Sequence, residues 1–526
     1  MSKFTIYQLL PRLFGNTNES CVPNSILLVN GCGKFNDITE EVIIKIKELG
    51  ITHIWYTGII EHATCTDYSS NGVTKDCCSV VKGVAGSPYA IKDYYDVDPD
   101  LAVDVDNRME EFENLISRTH TCGLKVIIDF VPNHVARQYV HDYNTINFPT
   151  FNDDNYYILD GELVLPVQSS SCMFKESPAK ATGNDCFSTH PTINDWYDTV
   201  KLNYNKEDTW LKMAQILDFW ASKGVDGFRC DMAEMVPVSF WKYSINRTKE
   251  RFPDLIFIAE IYNPSLYRDY LNVGGFDYLY DKVGLYDTLK DVICNRRPAS
   301  DITKCWQSVD DIQNRMLNFL ENHDEQRIAS DYFAIDPQRA IPAVAISLLM
   351  NKAPFMIYFG QELGERGMDN EGYSSIDGRT SIFDYWSVKT IRNWIKGDCI
   401  SNLRNQYKLI LNLALADDCI KEGGFYDLQY AQNDGEYFNY YSNYAFIRYY
   451  KTQLIIIVAN FSNESRSVKL RLPKEMFDHC NLVDNCNYKA TDLMSDQCFE
   501  RILNSCDPYE CLVDGNSVSL IKFSQL

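Results

Sequence analysis

The chain has 526 residues, of which 45% are hydrophobic and 23% are charged, so it can bury at least one large core and has an ordinary globular composition. Its formal net charge of −22 repels phosphate backbones and anionic lipid surfaces, which argues against nucleic acids and membrane surfaces as partners. No window holds about 18 consecutive apolar residues, so the sequence predicts no membrane-spanning helix. Pro11 and Arg12 interrupt the apolar run that a signal peptide would need.

The chain contains 18 cysteines, although no export signal is visible at its start. Because no such signal is visible, we expect a cytoplasmic protein. Cysteines of cytoplasmic proteins are typically reduced, so we expect most of them to be free. Cys77 and Cys78 are adjacent, and a second group crowds the C-terminal end: Cys480, Cys486, Cys498, Cys506 and Cys511. The spacing of these cysteines is not that of paired zinc ligands, which argues against a metal ribbon. Disulfides among them remain an alternative only for an exported protein.

One local pattern recurs along the first 400 residues: an amphipathic helix, a glycine that ends it, and a short β-branched apolar run. The helix in EEVIIKIKELG ends at Gly50, the helix in RMEEFENLISRTHTCG ends at Gly123, and the helix in WLKMAQILDFWASKG ends at Gly224. In the second of these helices Met109, Phe112, Leu115 and Ile116 share one face. The pattern predicts repeated helix-to-strand units.

Eight strand candidates can be counted in this part of the chain. They are TIYQLLPRLF, ITHIWYTG, KVIIDF, GVDGFRCDM, residues 256–261, FDYLYD, residues 316–320 and residues 355–359. Alternation of strands with helices predicts a parallel sheet, and eight units favour a closed (β/α)8 TIM barrel. An open doubly wound sheet is the alternative, but no glycine-rich phosphate turn follows the first strand.

Two segments depart from the alternation. A stretch rich in Asn, Asp, Ser and Tyr follows the third strand, and an antiparallel pattern in YAFIRYYKTQLIIIVANFS and SVKLRLP follows a helix at 406–415. The sequence therefore predicts a barrel at residues 1–134 and 201–420, an inserted subdomain at 135–200, and a C-terminal antiparallel β-sandwich domain at 421–526.

Polar side chains collect where the predicted strands end, which is where a barrel builds its active site. The third strand ends in DFVPNH, which carries Asn133 and His134, and the fourth contains Arg229 and Asp231 two residues apart. The fifth ends at Glu260. The seventh runs into ENHDEQR, which contributes His323, Asp324 and Arg327 as further candidates.

Carboxylates on neighbouring strand ends suit the cleavage of a glycosidic bond, which needs an acid for the leaving oxygen and a carboxylate for the anomeric carbon. Arg229 would keep Asp231 ionised, and the apolar neighbours of Glu260, which are Ile258, Ala259 and Ile261, could favour its protonated form. Adjacent strands also suit the carboxyl separation of about 5 Å in retaining enzymes. A single acidic residue at a strand end could instead cap a helix.

The segments DFVPNH, GFRCDMAE, FIAEIYN and FLENHD resemble, in order and spacing, the four signature segments of the α-amylase superfamily of glycoside hydrolases. The resemblance covers nearly the whole chain. It implies that Asp231 is the nucleophile, Glu260 the general acid/base and Asp324 the third carboxylate. It also implies sugar-binding roles for His134, Arg229 and His323, and for Tyr89 in GSPYAIKDYYDVDP as the residue that stacks on the reacting sugar ring.

The sequence also departs from that family's pattern. Glu234 and Met235 replace the Lys-His pair that often ends the second segment in calcium-containing amylases, and Asn203 stands where an aspartate is frequent. Asn133 remains a candidate ligand or a turn-forming residue, but the loss of a carboxylate weakens a calcium site. Ser87 replaces a common histidine beside the stacking tyrosine. No cofactor is needed for the chemistry itself.

Four functions fit the sequence to different degrees. The first is a hydrolase of α-1,4-linked glucans or maltooligosaccharides, and the second is a transglycosylase or sugar isomerase that uses the same covalent intermediate. The third is a non-catalytic carbohydrate-binding or interaction protein, against which the presence of all three carboxylates, Arg229 and both histidines argues. A barrel enzyme of unrelated chemistry is compatible with the fold but not with the site.

Overall fold

A computed structural model describes residues 3–142, 148, 150–397 and 401–525. Parts of the predicted domains therefore lie outside the described residues: 1–2 of the first barrel segment, 143–147 and 149 of the insert, 398–400 of the second barrel segment and 526 of the C-terminal domain. The strands are β1 (Thr5–Leu9), β2 (His53–Tyr56), β3 (Ile60–His62), β4 (Ile91–Val97), β5 (Lys125–Phe130), β6 (His134–Ala136), β7 (Thr199–Lys201), β8 (Gly227–Cys230), β9 (Ile256–Ala259), β10 (Tyr278–Tyr280), β11 (Met316–Phe319), β12 (Phe355–Tyr358), β13 (Gly424–Asp427), β14 (Asn443–Tyr450), β15 (Gln453–Asn460), β16 (Arg466–Leu470), β17 (Cys486–Asp492), β18 (Cys498–Leu503), β19 (Tyr509–Val513) and β20 (Ser517–Gln525).

The α-helices lie mostly between the parallel barrel strands along the chain, and the last of them packs in the C-terminal antiparallel part. They are α1 (Pro11–Phe14), α2 (Leu27–Asn30), α3 (Glu40–Glu48), α4 (Arg108–Thr121), α5 (Glu207–Ser222), α6 (Val238–Arg251), α7 (Tyr267–Asp269), α8 (Asp287–Ile293), α9 (Ile302–Ser308), α10 (Ile341–Leu349), α11 (Lys389–Lys396), α12 (Asn402–Ala416), α13 (Asp418–Lys421) and α14 (Lys474–Cys480).

Eight parallel strands form a closed barrel in the order β1-β12-β11-β10-β9-β8-β5-β2. The barrel closes because β1 pairs with both β2 and β12. All eight strand candidates from the sequence lie in this barrel, so the predicted (β/α)8 fold is confirmed. The glycines that end α3, α4 and α5 also lie where predicted: Gly50, Gly123 and Gly224 have φ values of +100°, +76° and +94°, a region that glycine enters at little steric cost.

Large side chains fill the interior of the barrel rather than leaving a channel. The interior cluster includes Ile6, Trp55, Ile127, Ile258, Tyr280, Leu317, Phe319 and Met356, all at most 1% exposed. A second and larger cluster packs the helices onto the outside of the sheet. The barrel is therefore a packed scaffold, and only the loops at its carboxyl end can form a site.

The two predicted appendages occupy the expected parts of the chain. β6 and β7 pair in antiparallel fashion at the start and end of the segment that follows the third barrel strand. At the C-terminal end, six antiparallel strands in the order β13-β14-β15-β20-β17-β18 share a core with the two-stranded sheet of β16 and β19. This confirms the predicted C-terminal antiparallel β-domain. The exact domain bounds stay predictions.

Two disulfides lie near the insert, linking Cys65 to Cys78 and Cys77 to Cys172. The five C-terminal cysteines are free, as are most of the other described ones, whereas Cys399 lies outside the described residues. Within the described part, no helix combines the length and the apolar character that crossing a membrane requires. The cytoplasmic location stays a prediction.

The packed interior gives a stability prediction. Leu317, 1% exposed inside the barrel, should cost about 2–5 kcal/mol of unfolding free energy when changed to Ala, because the closed sheet cannot collapse around the cavity. Leu512→Ala is a matched control, since Leu512 is 69% exposed and should change stability by less than about 0.5 kcal/mol. Chemical denaturation measures both, and equal effects would contradict the packed interior.

Candidate active site

The three predicted carboxylates line one cavity at the carboxyl end of the barrel. Asp231 directly follows β8, Glu260 directly follows β9, and Asp324 lies in the loop after β11. All three contribute to a cavity of about 350 Å³. Strand register explains the closeness of the first two: Cys230 of β8 pairs with Ala259 of β9, so Asp231 and Glu260 are the next residues on adjacent parallel strands.

The guanidinium of Arg229 binds several of these carboxylates at once. Its Nη1 lies 2.8 Å from Asp231 Oδ1 and 3.2 Å from Asp129 Oδ1, and its Nη2 lies 2.6 Å from Glu260 Oε2. Arg229 is only 1% exposed. Burial raises the pKa of the Asp231 carboxyl well above its usual range, and the nearby Glu260 and Asp129 carboxylates add to the rise, although Arg229 opposes it. The single cation therefore does not offset the combined effect of burial and the neighbouring carboxylates on the Asp231 pKa.

Glu260 has polar surroundings, contrary to the expectation from its sequence neighbours. Besides Arg229, the Tyr262 hydroxyl donates to Oε1 at 2.5 Å and the backbone amide of Met232 donates to Oε2 at 2.9 Å. The flanking residues, including Ile258, are buried in the core, while the carboxyl itself faces the cavity. The expected apolar setting was wrong because side chains around a strand end point in different directions.

Asp324, His323 and Tyr89 contact one another in a second part of the site. The Tyr89 hydroxyl lies 2.5 Å from His323 Nε2, and the two rings stack with centroids 5.1 Å apart. His323 Nε2 also lies 3.1 Å from Asp324 Oδ2. Desolvation opposes ionisation of Asp324, but His323 and Arg229 outweigh it and lower its pKa to about 2. Tyr89 lines the cavity, whereas His323 lies behind it.

His134, the first residue of β6, reaches the cavity and lies beside Trp196, with ring centroids 5.1 Å apart. Burial lowers the pKa of His134 to about 3, and the nearby Lys201 ammonium contributes to the shift. The ring is therefore neutral at ordinary pH and can donate one hydrogen bond and accept another.

Asn133 does not fit the calcium role considered from the sequence. Its Oδ1 accepts a hydrogen bond from Lys201 Nζ at 2.9 Å, and the same ammonium lies 2.5 Å from Asp185 Oδ1. The oxygen that would bind a cation thus already faces a positive charge. Within the described ranges, no cluster of three or more His, Cys, Asp or Glu side chains could hold a metal ion.

Arg327, expected near the substrate, lies elsewhere. It is fully buried, its Nη1 binds Glu321 Oε2 at 3.0 Å and the Phe359 carbonyl at 2.8 Å, and its Nε donates to Thr380. It is not among the residues that line the cavity. The substrate-binding prediction for Arg327 was wrong, because its guanidinium is occupied by these buried contacts away from the cavity lining.

Several cavity residues were not singled out from the sequence as site residues. They are Lys82, Trp196, Asp198, Thr199, Met232, Tyr262, Ile382 and Phe383. Tyr262 could have been noticed, because it lies two residues after Glu260. The others come from loops whose closeness in space has no local sequence signal.

Comparison with known proteins identifies the family of this chain. A profile of the family described as "Alpha amylase, catalytic domain" matches residues 8–270, half of the chain. The chain therefore belongs to the α-amylase superfamily of glycoside hydrolases.

Curated relatives include enzymes and one transporter subunit. Alpha-amylase 3 of Dictyoglomus thermophilum is 25% identical over 64% of this chain and 68% of its own length. The cyclomaltodextrin glucanotransferase of Bacillus licheniformis is 25% identical over 70% of this chain and 50% of its own length. The human amino acid transporter heavy chain SLC3A1 is 25% identical over 54% of this chain and 35% of its own length. The chain thus spans only half or less of the latter two relatives.

Solved structures match the fold along nearly the whole chain. The noncanonic maltogenic alpha-amylase AmyB of Thermotoga neapolitana has a TM-score of 0.68 and 19% identity, with 99% of both chains covered. An alpha-amylase of Geobacillus thermoleovorans has a TM-score of 0.69 and 20% identity, covering 99% of this chain and 98% of that chain. At such identities the likeness shows the shared fold alone.

The raised pKa of Asp231 gives a pH prediction. If Asp231 must be ionised to react, lowering the pH protonates it and activity falls, and the raised pKa moves this loss to higher pH. The acid limb of the kcat/KM profile should therefore have its midpoint clearly above the ordinary aspartate value of about 3.9. Circular dichroism at each pH controls for unfolding. A midpoint at or below about 4 in folded protein would contradict this reading of the site.

Proposed function

We propose that the protein is a retaining glycoside hydrolase that cleaves α-glucosidic bonds, with α-1,4 bonds of starch-derived glucans or maltooligosaccharides as substrates. The observation that carries the proposal is the placement of Asp231 and Glu260 at register-matched ends of adjacent strands, with one guanidinium between them. Adjacent parallel strands lie about 4.8 Å apart, which suits the carboxyl separation of about 5–5.5 Å in retaining enzymes.

In the proposed first step, Asp231 attacks the anomeric carbon while Glu260 protonates the departing glycosidic oxygen. The bond between that carbon and oxygen breaks, and a covalent glycosyl ester forms on Asp231. In the second step Glu260 removes a proton from water, which attacks the anomeric carbon and releases Asp231. Asp324, held ionised by its low pKa, is suited to stabilise the positive charge that develops on the sugar.

The remaining cavity residues are suited to bind and orient the sugar. Tyr89 presents a ring to the sugar's C–H face, and neutral His134 offers hydrogen bonds to hydroxyl groups. His323 acts indirectly in this proposal, because it contacts Tyr89 and Asp324 rather than the cavity. No step requires a metal ion, and we propose that Asn133 holds Lys201 rather than calcium.

Two other functions remain as alternatives. A transglycosylase or sugar isomerase would use the same intermediate, and a cyclomaltodextrin glucanotransferase is among the relatives. A non-catalytic role has a precedent in name, since one relative is an amino acid transporter heavy chain. The complete set of carboxylates around an accessible cavity favours catalysis.

The acidic net charge of −22 supports a neutral sugar rather than nucleic acid or an anionic membrane as the partner.

Three variants test the roles of the carboxylates with maltooligosaccharides and an activated aryl α-glucoside. Asp231→Asn should abolish turnover of both, because it removes the nucleophile. Glu260→Gln should lower maltooligosaccharide turnover by about 10²–10⁴-fold but retain first-step reaction with the aryl glucoside, whose leaving group needs no proton. Asp324→Asn should lower kcat more than it raises KM.

Asp311→Asn is a matched control, because Asp311 is a surface residue with a 59% exposed side chain that pairs with Arg268. It should leave kinetics unchanged. Substantial maltooligosaccharide hydrolysis by Asp231→Asn would contradict the proposal, as would equal losses on both substrates in Glu260→Gln.

A further inference from the structure

Three loops meet over one side of the catalytic cavity and form what we call the loop bridge, made of Lys82, Tyr197, Asp198, Tyr373 and Phe383. Lys82 lies in the loop between β3 and β4, Tyr197 and Asp198 directly precede β7, and Tyr373 and Phe383 lie in the loop after β12. Lys82, Asp198 and Phe383 line the cavity itself. None of the five carries a local sequence signal that marks it as a site residue.

Charged and aromatic contacts join the first two loops. Lys82 Nζ lies 3.3 Å from Asp198 Oδ1, with side chains 13% and 2% exposed. The same ammonium lies 5.4 Å from the centroid of the Tyr197 ring. Because both charges are largely removed from water, separating them would leave a poorly solvated ion on each side, which is costly.

The third loop completes the bridge. Tyr197 and Tyr373 interact through their hydroxyl groups, and the Tyr373 ring packs against Phe383 with centroids 4.9 Å apart. The Phe383 carbonyl accepts a hydrogen bond from the amide of Ala85 at 3.1 Å. Gly83 permits this approach, since a Cβ at that position would lie 2.2 Å from the Phe383 oxygen.

The covalent structure fixes the same loop. The disulfides Cys65–Cys78 and Cys77–Cys172 tie the segment before Lys82 to itself and to the insert. Val80 packs with Leu163, Leu165 and Tyr197 in a small buried cluster. The loop bridge is thus held in place by several contacts, and opening it would require breaking them together.

The position of the loop bridge relative to Glu260 determines which part of the substrate it blocks. In the closed strand order, β9, which Glu260 directly follows, lies opposite β1. The bridging loops belong to the connections after β2 and β12, the two neighbours of β1, and after β5, the other neighbour of β2. The leaving group must lie on the side of the acid that protonates its oxygen. The loop bridge therefore lies on the other side, where the non-reducing part of the substrate must fit.

We propose that the loop bridge closes the cavity beyond a single sugar ring, so that the enzyme removes one terminal glucosyl unit at a time from the non-reducing end of its substrate. The Lys82 ammonium and the Asp198 carboxylate, as donor and acceptor, bind hydroxyl groups of that terminal ring. The inference rests on the proposed glycosidase function and adds exo action and a preference for short maltooligosaccharides.

The first product formed from p-nitrophenyl α-maltoside tests the inference, with chromatography of samples taken at low conversion. An enzyme with room for one ring releases glucose and p-nitrophenyl glucoside, and this is the expected result. Release of maltose and nitrophenol as the first products would overturn the inference, as would cleavage of β-cyclodextrin, which has no chain end. Inactivity on every α-glucan would instead refute the proposed function, and the inference with it.

Variants of the bridge make the test specific. Lys82→Ala should raise the proportion of maltose among first products by about tenfold or more, because it opens space for a second ring. Lys75→Ala is the matched control from the same loop, since Lys75 forms only an exposed pair with Asp67 and should leave the proportion unchanged. If Lys82→Ala does not fold, Asp198→Ala serves instead. An unchanged product ratio in the folded variant would overturn the role of the bridge.

Discussion

The buried guanidinium of Arg229 is the interaction on which the rest of the site depends. It contacts Asp129, Asp231 and Glu260 while only 1% exposed. A buried cation without these partners would be strongly destabilising, and so would the buried carboxylates without the cation. Burial and the neighbouring carboxylates together outweigh the effect of this cation, so the pKa of Asp231 stays raised. Stability and reactivity are therefore set by the same contacts.

The closed barrel makes this arrangement possible. Parallel pairing of β5, β8 and β9 brings Asp129, Arg229 and the two residues beyond the strands to one edge. Tightly packed side chains inside the barrel hold the strands in a fixed register. The loops then make the two sides of the cavity different, because one side carries Glu260 and Tyr262 and the loop bridge occupies the other. The barrel thus positions the chemistry, while the loops determine which substrate can reach it.

The sequence predicted the barrel well because the responsible signals are local. Helix-ending glycines such as Gly50 and apolar runs such as KVIIDF act within a few residues, and strand alternation then limits the topology. The three carboxylates could be located for the same reason. Arg327 was misjudged because its buried partners Thr380 and Phe359 are distant in sequence, and no local signal announces these contacts. Contacts between distant loops, such as Lys82 with Asp198, have no comparable local signal.

If a covalent bond to Asp231 forms and is then broken, the anomeric carbon undergoes two inversions. Proton NMR of the first sugar released from an α-linked maltooligosaccharide measures this directly, provided that spectra are recorded before the anomers equilibrate. We expect that the α-anomer appears first and that the β-anomer grows in later by mutarotation. A β-anomer that appears first would mean direct attack by water, and Asp231 could then not be the nucleophile.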